Sequence, residues 1–122
     1  MTVKGGGRKQ TDRPAAVCWT DRALNDLLAI EDYIAADDPV AAARWVQALA
    51  DKAKSAALSP LGGRIVPELG RPKVREVFKR SYRIVYRVRP DGIDVLTIFE
   101  GHRLFPAGVR GEAAADDNES CV

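Results

Sequence analysis

Between residues 58 and 74 the spacing of apolar side chains changes, and that change limits the folds open to this chain. Upstream, Ala23, Leu27, Ile30 and Ile34 recur at intervals of four, three and four. Ala42, Val46, Leu49, Ala53 and Ala56 recur at four, three, four and three. Such spacing lines one face of an α-helix. Downstream the interval is two. Tyr82, Ile84, Tyr86 and Val88 alternate with Arg83, Val85, Arg87 and Arg89, which gives a strand two chemically different faces. With 122 residues, this is one domain in which helices precede a sheet.

The turn residues agree with that division. Thr20 and Asp21 offer an N-cap to the first helix, and Asp38 followed by Pro39 starts the second. The run Ser59-Pro60-Leu61-Gly62-Gly63 stops it, and residues 64–73, with Pro67, Gly70 and Pro72, read as an irregular loop. Residues 74–78 read as a strand, Pro90-Asp91-Gly92 as a hairpin turn and residues 93–99 as the last strand. The apolar residues 15–19 make a further strand at the start. The predicted fold class is α+β: an N-terminal strand, a helical hairpin, then a three-stranded antiparallel meander (β-α-α-β-β-β). The helices pack on one sheet face, and the other face is expected to be open and to carry Arg83 and Arg87. Residues 1–14 read as a disordered basic arm, 15–106 as the folded domain and 107–122 as a disordered acidic tail.

The net charge of +2 conceals a segregation. Residues 20–58 carry net −3, whereas residues 64–103 carry net +5. A basic half beside an acidic one suits an anionic partner, either nucleic acid or an acidic protein segment. No apolar run approaches the roughly 20 residues of a membrane span, and residues 1–14 lack the apolar stretch of a secretion signal. The expected location is cytoplasmic. Cys18 and Cys121 lie at opposite ends of the chain, which predicts two free thiols rather than a metal site.

His102 is the single histidine, no phosphate-binding glycine loop is present, and no zinc-ligand set can be assembled, so neither metal nor cofactor is expected. What remains is Arg64, Glu68, Arg75, Arg83, Arg87, His102 and Arg103. Metal-free RNA cleavage needs a base, an acid and cations around a charged phosphorane. Glu68 or His102 could move the proton while Arg75, Arg83 or Arg103 holds the phosphate. The structural alternatives are equally open. Glu68 could simply partner an arginine, Arg83 and Arg87 could pair with Glu76, and Trp19 and Trp45 could be packing residues. Asp26, Glu31 and Asp32 read as the exposed face of the first helix.

Taken in order, these residues look familiar. Trp19-Thr20, Asp32-Tyr33-Ile34, Pro39 with Ala41-Ala42-Ala43, and Ser59-Pro60 with Gly63-Arg64 lead to Val66-Pro67-Glu68-Leu69. Val74-Arg75-Glu76 and Tyr82-Arg83-Ile84-Val85-Tyr86-Arg87-Val88 follow, and Phe99-Glu100-Gly101-His102-Arg103 with Phe105-Pro106 closes the set. Over about residues 17–106 the chain resembles the RelE/ParE superfamily of type II toxin–antitoxin toxins. The family fold matches the β-α-α-β-β-β reading. The resemblance implies a growth-inhibiting toxin neutralised by a cognate antitoxin, with a toxin–antitoxin hetero-oligomer and a role in plasmid stabilisation.

RelE-like members cut mRNA on the ribosome. ParE-like members inhibit DNA gyrase and are not enzymes. Pro67-Glu68-Leu69, Arg75-Glu76 and the Tyr-Arg-Ile-Val-Tyr-Arg strand are ParE-like in style, and no tyrosine follows Tyr86. The expected target is therefore DNA gyrase, with no catalytic residues. Target or antitoxin contacts are expected from Arg64, Arg75, Arg83, Arg87, His102 and Arg103. The alternative is a RelE-like, metal-free endoribonuclease acting on mRNA at the ribosome through Glu68, Arg83 and His102. Residues 1–14 read either as a functional basic tail or as residues added by an upstream start; the resemblance begins near Ala15, which favours the second.

Overall fold

The computed structural model describes residues 15–114. Residues 1–14, read as a basic arm, lie outside them, as does the tail beyond 114. The elements are β1 (Ala16–Trp19), α1 (Asp21–Ala35), α2 (Pro39–Leu58), β2 (Arg64–Ile65), β3 (Val74–Lys79), β4 (Tyr82–Arg89), β5 (Gly92–Glu100) and α3 (Val109–Ala114). A single turn of 3₁₀ helix (Pro60–Gly62) joins α2 to β2.

The helix starts are set by the expected caps. Thr20 Oγ1 accepts from Ala23 N at 3.2 Å and itself donates to the Val95 carbonyl at 2.8 Å, tying the start of α1 to β5. Asp38 Oδ1 accepts from Val40 N and Ala41 N at 3.1 Å, with Pro39 in the first helical position.

The sheet order is β1-β5-β4-β3-β2. β3, β4 and β5 form the expected antiparallel meander. β1 joins its edge parallel to β5, in register Ala16 with Gly92 and Trp19 with Val95. Gly92 is required there, because a Cβ would run into the Ala16 carbonyl. The loop expected over 64–73 contains β2, whose two residues pair with Glu76 and Arg75 of β3, giving a five-stranded sheet.

One face of the sheet is packed by α1 and α2. Ala23, Leu49, Ala53, Ala56, Ile84, Tyr86, Ile93, Val95 and Ile98 form that core. The other face was expected to be open and is not. Val66 and Val74 from the 66–74 segment, Val85, Leu96 and Phe99 from the strands, and Val109 and Ala113 from α3 form a second buried cluster, with Phe105 packed against it. The chain from 107 therefore begins not as an unstructured tail but as a segment that returns to cover the sheet.

Between Val85 and Tyr86 the β4–β5 register slips by one residue, from Thr97 to Val95. This β-bulge is stitched to α1. Asp26 Oδ2 accepts from Thr97 Oγ1 at 2.5 Å and from the Ile98 backbone N–H at 3.1 Å. Asp26 was expected on the exposed face of α1; instead it satisfies a donor that the interrupted ladder leaves over. Cys18 also departs from expectation: it is disulfide-bonded, not a free thiol. Cys121 lies outside the described residues.

Candidate functional site

On the face covered by α3, the basic residues of β4 are neutralised by acids that the fold delivers from three places. Arg83 is 5% exposed. Its Nε donates to Glu76 Oε1 at 2.6 Å, and its two terminal nitrogens donate to both oxygens of Glu68 at 2.9 and 2.7 Å. A two-pronged arginine–carboxylate pair of this kind fixes both groups in one plane. The guanidinium also lies 4.9 Å from the Phe99 ring centroid and 5.7 Å from that of Phe105. Glu76 is buried on β3, and its second oxygen accepts from Arg64 Nε at 2.6 Å. The result is an alternating chain, Arg64–Glu76–Arg83–Glu68, running from exposed to buried and back.

This arrangement sets the ionisation of Glu68. The hydrogen bonds from Arg83 hold its carboxyl well below the usual range, from 4.5 down to about 2, against a smaller opposing effect of burial. The same bonds raise Arg83 further above its ordinary value. A carboxylate so stabilised is a weak base near neutral pH, where general-base efficiency favours a pKa close to the working pH.

The remaining sequence candidates occupy different places. Arg87 is buried, and its Nε and Nη2 donate to Asp94 Oδ2 at 3.2 and 2.9 Å, not to Glu76. Arg89 lies 3.5 Å from the same oxygen. Arg83 and Arg87 therefore do not form an open basic face: both are enclosed, each with a carboxylate alongside. Arg75 is a strut. It donates to the carbonyls of Pro72, Leu61 and Gly63 at 2.8, 3.1 and 3.0 Å, closing the 60–72 loop. Gly63 sits where a Cβ would meet Tyr86 Oη and the Glu76 carbonyl, so the loop can lie this close only with glycine. Tyr86 Oη donates to the Pro60 carbonyl at 2.6 Å.

His102 and Arg103 follow β5 and are exposed. His102 Nε2 lies 3.9 Å and Arg103 Nε 3.6 Å from Glu100 Oε1. The structure thus joins Glu68 to Arg83 but places His102 on an exposed turn beside Glu100. Arg103, Glu100 and Tyr82 also line a groove of about 400 Å³ between α1 and the sheet, with Ile30, Tyr33 and Ile98. Among the described residues no cluster of His, Cys, Asp or Glu is suited to a metal ion, and no helix is long and apolar enough to cross a membrane.

Glu76 and Asp94 are the carboxylate partners of the β4 arginines that the sequence only half disclosed. Their signal was positional: each lies on a strand next to β4, in a chain segment otherwise rich in arginine.

This fold, and the order of these residues, has clear relatives. Residues 17–105 match the family model of the ParE toxin of the type II toxin–antitoxin system parDE. The chain belongs to that family. It is 38% identical over 91 residues to the putative toxin Y4kP of Sinorhizobium fredii, covering 72% of this chain and 90% of that protein. It is 40% identical over 91 residues to toxin RelE2 of Caulobacter vibrioides, covering 74% and 99% respectively. A solved structure of the chromosomal ParDE TA system from P. aeruginosa superposes with a TM-score of 0.58 at 28% identity, over 71% of this chain and 96% of that one. The protein is a type II toxin of the ParE/RelE family, and such a system implies an antitoxin partner.

Proposed function

We propose that this toxin acts as a binding module that inhibits DNA gyrase, without catalytic residues of its own, and that a cognate antitoxin neutralises it. The observation that carries this reading is the mutual commitment of Glu68 and Arg83. A nuclease would need the carboxylate free to take a proton and the guanidinium free to hold a phosphate. Here each satisfies the other, and Glu76 holds the third donor of Arg83. The match to a ParE model across residues 17–105 supports the same target class.

The exposed contact residues on this reading are Arg64, His102 and Arg103. Arg75, Arg83 and Arg87 act through the loop and face they hold in shape. An acidic antitoxin segment would complement the basic C-terminal half and order as it binds.

The name of the Caulobacter relative, toxin RelE2, favours a second reading. In it the chain cleaves mRNA on the ribosome through Glu68, Arg83 and His102, after an opening of the ion-paired cluster. Pulse labelling after induced expression separates the two. An early fall in thymidine incorporation with methionine incorporation intact is expected. An early collapse of methionine incorporation would overturn the gyrase reading.

A further inference from the structure

A second groove, of about 410 Å³, lies where α2 passes the β3–β4 turn, lined by Arg44, Trp45, Ala48, Lys79 and Arg80. Its charge differs from that of the covered face. Arg64, Arg83, Arg87 and Arg89 all lie against Glu76, Glu68 or Asp94. Arg44, Lys79 and Arg80 have no carboxylate among the groove's lining residues, and none of the three forms an ion pair among the described residues. Arg80 adopts φ 54°, in the left-handed region of a two-residue turn, where glycine would sit without strain. The chain nevertheless places a guanidinium there, 5.9 Å from the Trp45 ring centroid. Trp45 in turn meets Tyr82 edge-on at 5.8 Å. Uncompensated cations on a rim beside the Trp45 ring suit a ligand that carries both anions and flat rings.

We infer that this groove binds single-stranded nucleic acid, with Arg44, Lys79 and Arg80 on successive phosphates and the Trp45 ring against a base. An acidic peptide would match the charge but bring no rings to the tryptophan. Phosphate contacts make such binding salt-dependent, and base–aromatic contact makes it tolerant of sequence. The inference concerns this groove and not the Glu68–Arg83 cluster, so it stands apart from either reading of the target.

The test is fluorescence anisotropy of the full chain with a labelled thymidine oligonucleotide of about twelve nucleotides, from about 50 to 200 mM salt. The expected result is binding that weakens with salt. The triple variant Arg44→Ala, Lys79→Ala, Arg80→Gly should lose about tenfold or more in affinity at low salt and about 2 from the log–log salt slope. The control variant Lys54→Ala, Arg71→Ala, Lys73→Ala removes the same charge elsewhere and should stay within about threefold of the parent. Lys79→Ala alone leaves the turn and the Arg80–Trp45 contact in place, and should still lower the slope by about 0.7. Equal losses in both triple variants, or no loss in the groove variant, would overturn the proposal. So would tighter binding of a duplex of the same length, or displacement of the oligonucleotide by a polyglutamate peptide of equal charge.

Discussion

Glu76 holds two guanidinium groups at once from a fully buried position. Removing one partner of a buried ion pair leaves the other charge desolvated and unpaired, which typically costs about 3–5 kcal/mol. Glu76→Gln should therefore lower the unfolding free energy by about 3 kcal/mol in a denaturant titration. Glu68 is more exposed and tests the same cluster through pH. Its carboxyl titrates at about 2 when folded, against 4.5 for the free group. The stabilisation it contributes is fully present above about pH 4.5 and is lost as pH falls toward 2. The melting temperature should drop across that window. Glu68→Gln should melt lower than the parent at neutral pH and should flatten the acid limb. An unchanged acid limb in the variant would mean that the Arg83 pair does not govern it.

At the scale of elements, α1 and the β4–β5 pair depend on each other through one carboxylate. Asp26→Ala leaves the Thr97 hydroxyl and the Ile98 N–H without their acceptor, an expected loss of about 1–3 kcal/mol. Hydrogen exchange should show faster exchange at Ile98 than at Ile84, which lies opposite it in the ladder. The 60–72 loop depends likewise on one glycine. Gly63→Ala should destabilise by about 1–3 kcal/mol through overpacking, and less in a Tyr86→Phe background, where the nearest obstructing atom is gone.

Periodicity made α1, α2, the meander and the caps legible, because each depends on neighbours within a few residues. β2 was not legible: its two residues pair only because Gly63 and Arg75 bring the loop against β3. α3 was not legible either. A six-residue helix is too short to form alone, and Val109 with Ala113 is a single apolar pair that reads as tail until the sheet face it covers is known. Alternation correctly put Arg83 and Arg87 opposite Ile84 and Tyr86. It could not say whether that face was covered. The clue lay on the same face, in Val85, Leu96 and Phe99, too much apolar surface to leave exposed.

Across the whole molecule, a five-stranded sheet is covered on both faces, by the helical hairpin on one side and by the returning chain on the other. Its most basic strand is neutralised internally, and the cations at the periphery include Arg64 and Arg103 and the rim formed by Arg44, Lys79 and Arg80. The proposed inhibition by occupying a surface, without turnover of a substrate, rests on that pairing of Arg83 with Glu68. The most direct test uses purified chain, purified DNA gyrase and supercoiled plasmid, with ribosomes carrying a defined mRNA in a parallel reaction. Broken plasmid DNA held by gyrase is expected to accumulate as toxin approaches equimolar amounts, antitoxin to reverse the effect, and the mRNA to stay intact. Cleaved mRNA with gyrase unaffected, abolished by Glu68→Gln and His102→Ala in folded protein, would contradict it.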